Sequence, residues 1–353
     1  MKKRIFCMAL CLLLLLCTLP AAWADGEKAE DRYLKLNAAN FPDENFRRYI
    51  VYSQVHSGSE STGYYMTRAQ VLAVTRMDLS YEFVSDYKGL EHFTELKSLT
   101  CGSYYGPETV KNFDVSKFKK LISLSVTNIE MKNADLSKNP ALIYLLMANT
   151  KTETLDLSKN VNLKGINFEG PEGLKAKRLD LRSLSKLESI SIYWGDLESI
   201  DVSQNAALKS LFLNGTKVRS LDVSHNPKLE SICCDEVPLS TLILGELPLV
   251  KNIDVDYGNL TEIDLSGCPN LEELCLSGNR LTTLDLTPCT KLTYLHCIGN
   301  RLESIEFGGL TNLNGIYISD NCLLELDLTG QTHLDARYAR VTGQKTVAAG
   351  FTP

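Results

Sequence analysis

Beyond its first two dozen residues the chain has no apolar run of bilayer length, and a spanning helix needs about 20 such residues. It also lacks a basic excess. Lys and Arg total 37 against 43 Asp and Glu, so nucleic acid, which is bound by neutralising phosphates, is excluded as the expected partner. A dense disulfide framework is missing too. Of 11 cysteines, Cys7, Cys11 and Cys17 lie in the leader, and the other eight are spread too thinly for a small stapled domain. A glycine-rich nucleophile elbow is likewise absent.

Residues 1–24 read as a secretory signal peptide. Lys2, Lys3 and Arg4 make the basic start, Leu10 to Leu16 lie in the apolar run, and Ala22-Trp23-Ala24 fits a small-x-small cleavage site. Cleavage there removes three of the 37 basic residues and no acid. That leaves 34 against 43, a formal charge of −9. The expectation is a protein secreted or held at the cell surface, with no membrane insertion after cleavage. No wall-sorting pattern is visible.

The chain is dominated by a 21-residue period. An acidic position inside an apolar-acid-apolar run recurs at Asp114, Asp135, Asp156, Asp180, Asp201, Asp222, Asp264, Asp285, Glu306 and Asp327. Ile243 fills the one gap, and a single spacing of 24 separates Asp156 from Asp180. A fixed period of this length defines a solenoid, whose coils bury their apolar faces against their neighbours. The coil Leu292-x-x-Leu295-x-Cys297-x-x-Asn300-x-Leu302 fits L-x-x-L-x-L-x-x-N-x-L. Alternate residues of its first half point inward, and Asn300, like Asn279 and Asn321, is placed to bond backbone groups of neighbouring coils. The second half, Leu-Asp-Leu-Ser-x-Asn, makes another short extended segment. Cys101, Cys234 and Cys297 take core positions as small apolar side chains.

The expected organisation is a signal peptide at 1–24, a disordered linker at 25–36, a helical cap at 37–74, a solenoid at 75–330, and a last coil with tail at 331–353. In the cap, Pro42 is read as a first helical residue, and Thr67 with Gln70 as a capping box. Extra residues at Gly102–Asn112 and Glu169–Lys177 are read as surface loops.

These halves resemble the 21-residue leucine-rich repeats of exported bacterial proteins, distantly similar to internalins. Asn40-Phe41-Pro42-Asp43-Glu44-Asn45-Phe46-Arg47 and Lys88-Gly89-Leu90-Glu91-His92-Phe93-Thr94-Glu95-Leu96 look like the leading segments of that family. The resemblance implies a mainly β, right-handed leucine-rich-repeat solenoid with a parallel β-sheet face and a small helical N-terminal cap. It also implies a binding protein. Family members often carry a calcium loop between the leading helices, but Ser57 to Gly63 holds one acid and Gln70 stands where a bidentate Glu is needed, so no calcium is expected.

Same-register residues of successive strands lie about 4.8 Å apart. The outward column reads Thr100, Ser125, Leu146, Asn167, Ser191, Phe212, Cys233, Asp254, Cys275, His296, Tyr317. Exposed aromatics among carboxylates mark Tyr193, Phe212, Asp235, Asp254, Asp256, Glu273, Tyr294, His296 and Tyr317 as the candidate ligand-binding residues. A solvated sheet with aromatic outward positions is the alternative. Asp254, Cys275 and His296 fall on successive coils with the cysteine in the middle, whereas a working triad has the histidine there; no catalysis is expected. Two ligands on two coils do not make a metal site, so no metal or cofactor is expected. Cys268 and Cys289 occupy a slot held elsewhere by Asn139, Asn160, Asn205 and Asn226, and parallel side-chain directions favour two reduced thiols. The Asp column reads as turn hydrogen bonding rather than a cation stripe. The functional expectation is noncatalytic extracellular recognition of a protein ligand, with a glycan ligand or a spacer role as alternatives.

Overall fold

The computed structural model describes residues 32–54, 58–59, 63–106 and 110–324, with 326, 328, 331, 333–335 and 339–340 beyond. The expected signal peptide, Ser57, Glu60, Ser61, Thr62 and Asp327 lie outside the described residues, as does most of 331–353. The architecture is a right-handed, mainly β solenoid of about 11 turns. Thirteen parallel strands form one continuous sheet along one side, from Arg76–Asp78 at one end to Ala339–Arg340 at the other.

The alternation in sequence explains the strands. In Tyr294–His296 the central Leu295 is buried and its two neighbours are half exposed, as a period of two requires. Each coil adds a layer such as Leu292, Leu295, Cys297 and Leu302, all fully buried. Burying one leucine contributes about 1.5–3 kcal/mol, and the stacked layers make one uninterrupted core. Cys101, Cys234 and Cys297 sit in it as expected.

Two asparagine ladders hold the turns. Asn300 Nδ2 donates to the carbonyls of Leu276 and Cys297, while its Oδ1 accepts the Leu281 N–H at 3.1 Å. Asn279 and Asn321 do the same one coil either way. On the second half, Asn160 Nδ2 donates to Leu136 and Asn139, and Asn226 to Val202 and Asn205. Cys268 and Cys289 fill the same slot, both buried and reduced; burial pushes their thiols up to about 12 and about 11.

The acidic column is a turn device. Each described aspartate of the column accepts the N–H two residues on, as Asp156 does from Ser158 at 2.8 Å, and that bond holds the Asp156 carboxyl below its usual range. Short parallel pairs such as Thr283–Asp285 with Ser304–Glu306 form the second strand row.

Three sequence expectations need correction. The cap is not helical throughout. Helix α1 spans Glu44–Gln54 and helix α2 spans Arg68–Ala73, but Leu34–Lys35, Gly58–Ser59 and Gly63–Met66 form a small antiparallel sheet around them. Leu34 and Leu36 alternate inward there, so the strand reaches into the expected linker. Pro42 is not a first helical residue. Asp43 caps α1, accepting the Phe46 N–H at 2.9 Å, which leaves Pro42 outside. The insertion at 169–177 is not a surface loop. Gly165–Leu174 is one strand whose pairing with Ser189–Gly195 jumps from Glu169–Tyr193 to Leu174–Gly195; the extra residues form a bulge, where the Glu172 and Gly173 carbonyls accept the Lys151 and Thr152 N–H groups of the preceding coil. The capping box at Thr67 and Gln70 is present as read. The cap seals the first coil through Phe41, Phe46, Tyr87 and Phe93, all fully buried.

Candidate functional site

Strand pairing sets the outward column residue against residue. Phe212 pairs with Cys233, Cys233 with Asp254, Asp254 with Cys275, Cys275 with His296, and His296 with Tyr317. The same register continues back through Ser191, Asn167, Leu146, Ser125 and Thr100. Beside it, Asn252, Glu273 and Tyr294 are partners on the neighbouring column, and Asn252 Nδ2 donates to Glu273 Oε2 at 3.1 Å.

A shallow groove of about 470 Å³ runs over these coils. Six of the nine candidate residues line it: Phe212, Asp254, Glu273, Tyr294, His296 and Tyr317. Tyr193, Asp235 and Asp256 do not. They stand on the flanking column two residues further along the chain, Asp235 and Asp256 in turns just past their strands and Tyr193 still paired with Glu169 within Ser189–Gly195. His296 and Tyr317 stack at 4.4 Å with planes 21° apart, so one end of the groove is an ordered aromatic wall.

Electrostatics in and beside the groove follow from burial. The Asp256 carboxyl is pushed up to about 6, first by burial and then by the charges of Asp254 and Asp235, against the Ser277 N–H that donates to it at 2.6 Å. The Cys233 thiol rises to about 12, through burial and then the nearby Asp254 charge. A thiol held there is no nucleophile near neutral pH. Cys275 does lie between Asp254 and His296, the order that the sequence placed against a triad. Among the described residues no group of three or more His, Cys, Asp or Glu could hold a metal ion.

A second groove, of about 510 Å³, lies on the second strand row and is lined by Arg178, Glu198, Ser199, Lys217, Arg219 and Pro238. Its charges are partly satisfied: Lys177 pairs with Glu198 at 2.8 Å, and Lys217 with Asp196. Sequence reasoning had not placed a cavity there.

It also missed the rim. Asn128, Asn149, Gly170, Trp194, Gly215, Glu236, Tyr257, Gly278, Gly299 and Asp320 all have positive φ, and they recur with the coil period. Asparagine and glycine suit this left-handed turn; Trp194 at φ 60° and Tyr257 at φ 57° do not. Both rings are more than half exposed, and each lies against the glycine of the next coil, Gly215 and Gly278. The readable signal was the recurrence of Gly and Asn in that column, against which two bulky aromatics stand out.

Fold and face together define a leucine-rich-repeat solenoid. A family model described as Leucine Rich repeats (2 copies) matches residues 269–307. Among solved structures the chain is similar to the functional domain of InlJ from Listeria monocytogenes, which includes a cysteine ladder. That likeness has a TM-score of 0.73 and 23% identity over 88% of this chain and 71% of that one. It is also similar to the leucine-rich-repeat protein LIC12759 of Leptospira interrogans (0.64, 16%, 78% and 80%) and to an internalin, InlF, of Listeria monocytogenes (0.58, 18%, 87% and 97%). The likeness is one of fold: the chain is a leucine-rich-repeat solenoid similar to those of internalins. No curated protein sequence matches it. Among the described residues no helix is long and apolar enough to cross a membrane.

Proposed function

We propose that this chain is a noncatalytic recognition protein that works outside the cell and binds a protein ligand through its outward strand face. Leucine-rich-repeat solenoids are interaction modules, and the carrying observation is the groove from Phe212 to Tyr317, where aromatic and acidic side chains share one register. A laddered sheet orders these side chains before any ligand arrives, which lowers the ordering cost of binding. The extracellular part of the reading rests on the leader at 1–24 and its cleavage pattern. A glycan ligand is the weaker alternative. Sugar stacking needs free ring faces, and His296 and Tyr317 each spend one face on the other.

The test is capture of host-cell surface proteins, mucin glycans and bacterial wall fractions by residues 25–353. A folded Phe212→Ala, Tyr294→Ala, Tyr317→Ala variant runs beside it. Loss of a protein ligand in the variant supports the reading. Loss of a glycan supports the alternative, equal capture by both moves the site off this face, and no capture by either favours a spacer.

A further inference from the structure

We infer that the face from Trp194 to Tyr317 docks an extended, arginine-rich polypeptide segment, and that the rim aromatics Trp194 and Tyr257 hold its cationic side chains. This rests on the strand-face reading above and names the partner chemistry for it.

Charge is divided along the solenoid. Residues 110–190 hold 14 Lys and Arg against 9 Asp and Glu, a net +5; residues 191–324 hold 8 against 18, a net −10. On the face itself the division is complete. Across the strand and rim columns of the coils from Phe212 to Tyr317 there is no Lys or Arg, whereas Asp235, Glu236, Asp254, Asp256, Glu273 and Asp320 all stand there. Lys209 and Lys251 sit at the opposite end of the strands, paired with Glu188 and Glu272 at 2.8 and 2.9 Å. A run of half-buried and exposed carboxylates with no Lys or Arg in the same columns favours a cationic partner over a neutral or anionic one.

The aromatics select arginine within that class. A guanidinium stacks on indole and phenol faces as well as pairing with carboxylates, and Trp is the strongest such platform. Trp194 and Tyr257 lie three coils apart, about 14 Å at the inter-strand spacing. Glu236 lies between them in the same column, and Asp235 and Asp256 lie one residue inward. An extended chain covers about 14 Å in four to five residues. Two arginines at that spacing would reach both rings with carboxylates between.

The rim is built rather than loose. The Trp194, Glu236 and Tyr257 amides each donate to the next coil, to Asn214, Asp256 and Ser277 carbonyls at 2.7–3.0 Å. A Cβ placed on Gly215 would fall 2.4 Å from Trp194 Cδ1, and one on Gly278 2.7 Å from Tyr257 Cδ1. Each ring therefore lies against a glycine seat that a larger residue would close.

The probe is an oligo-arginine peptide, with a Gly/Ser peptide of equal length as control. Trp194 is the one tryptophan after residue 24, so intrinsic emission of residues 25–353 reports on the rim directly. The expected result is saturable, salt-sensitive binding that shifts Trp194 emission and is absent for the control peptide. In anisotropy with labelled peptide, Trp194→Gly, Tyr257→Gly should weaken it about tenfold. Those substitutions suit the left-handed backbone, so the fold survives them. A second variant, Asp235→Asn, Glu236→Gln, Asp256→Asn, should weaken it by a similar factor. The control variant Asp264→Asn, Asp285→Asn, Glu306→Gln removes as many charges from the turn column and should bind as the parent does.

Equal weakening by the turn-column variant would reduce the effect to net charge and overturn the inference. So would salt-sensitive self-association of the parent that excludes the peptide, since the acidic half would then be taken by the basic half of a second copy. If natural-ligand capture depends on Phe212, Tyr294 and Tyr317 but not on the rim or its carboxylates, this inference fails and the strand-face reading stands. If capture ignores all of these, both fail.

Discussion

Replacing Asp256 by asparagine should stabilise this protein above pH 7, although it removes a charge from a polar face. In the native state burial and the Asp254 and Asp235 charges bring the Asp256 carboxyl to about 6, against an ordinary value of 3.8. The folded protein therefore holds that proton more tightly than the unfolded chain does. Stability linked to this group is fully present below about pH 3.8 and is lost as pH rises through 6. The gap of about two pH units corresponds to about 3 kcal/mol at 1.36 kcal/mol each, and solvent around a partly exposed carboxylate cuts this to about 1–2 kcal/mol. Asparagine keeps the acceptor for the Ser277 N–H while removing the charge. Chemical unfolding followed at pH 8 and pH 4 measures the effect. The variant should be more stable at pH 8 and level with the parent at pH 4. A variant less stable at pH 8, or one with the same advantage at both, would refute the argument.

Other outcomes follow from the same geometry. Asn300→Ala should cost about 1–3 kcal/mol, since it strands the buried Leu276 and Cys297 carbonyls and the Leu281 N–H; urea unfolding and amide exchange at Leu281 check this. Leu295→Ala, in a fully buried layer, should cost about 2–5 kcal/mol in the same assay. Cys268 and Cys289 should resist a thiol reagent at pH 8 in the folded protein and react fully in denaturant; rapid native labelling of either would contradict their burial and raised pKa values. Trp194→Gly should leave stability within about 1 kcal/mol of the parent, because relief of a left-handed backbone costing about 1–2 kcal/mol offsets the lost ring contact. A larger loss in thermal unfolding would show that the ring is structural.

The candidate site was legible to the extent that it depends on register. A period of 21 places Phe212, Asp254, His296 and Tyr317 in one column without reference to coordinates, and strand pairing puts them there. The rim was not legible in the same way. Its defining property is a positive φ at Trp194 and Tyr257, which the sequence records only as glycine and asparagine at the equivalent places in other coils.

The sequence by itself determined the solenoid, the inward Leu and Cys positions, the Asn ladder at 279, 300 and 321, and the turn role of the acidic column. Each is a repeated local choice whose physics is complete within one coil and its neighbour. Tertiary structure decided what repetition does not encode. Leu34 and Leu36 were drawn into a strand because Gly63–Met66 offered an antiparallel edge. The extra residues after Glu169 remained at the sheet as a bulge because the Lys151 and Thr152 amides of the preceding coil donate to Glu172 and Gly173, and pairing with the next strand resumes at Leu174–Gly195. Only six of nine candidate residues entered one groove: Asp235 and Asp256 fall in turns just past their strands, and Tyr193, still paired within Ser189–Gly195, lies on the coil before the groove begins at Phe212. Asp256 acquired its unusual acidity there from burial and two neighbouring carboxylates, a property of the stacked coils that no single coil possesses.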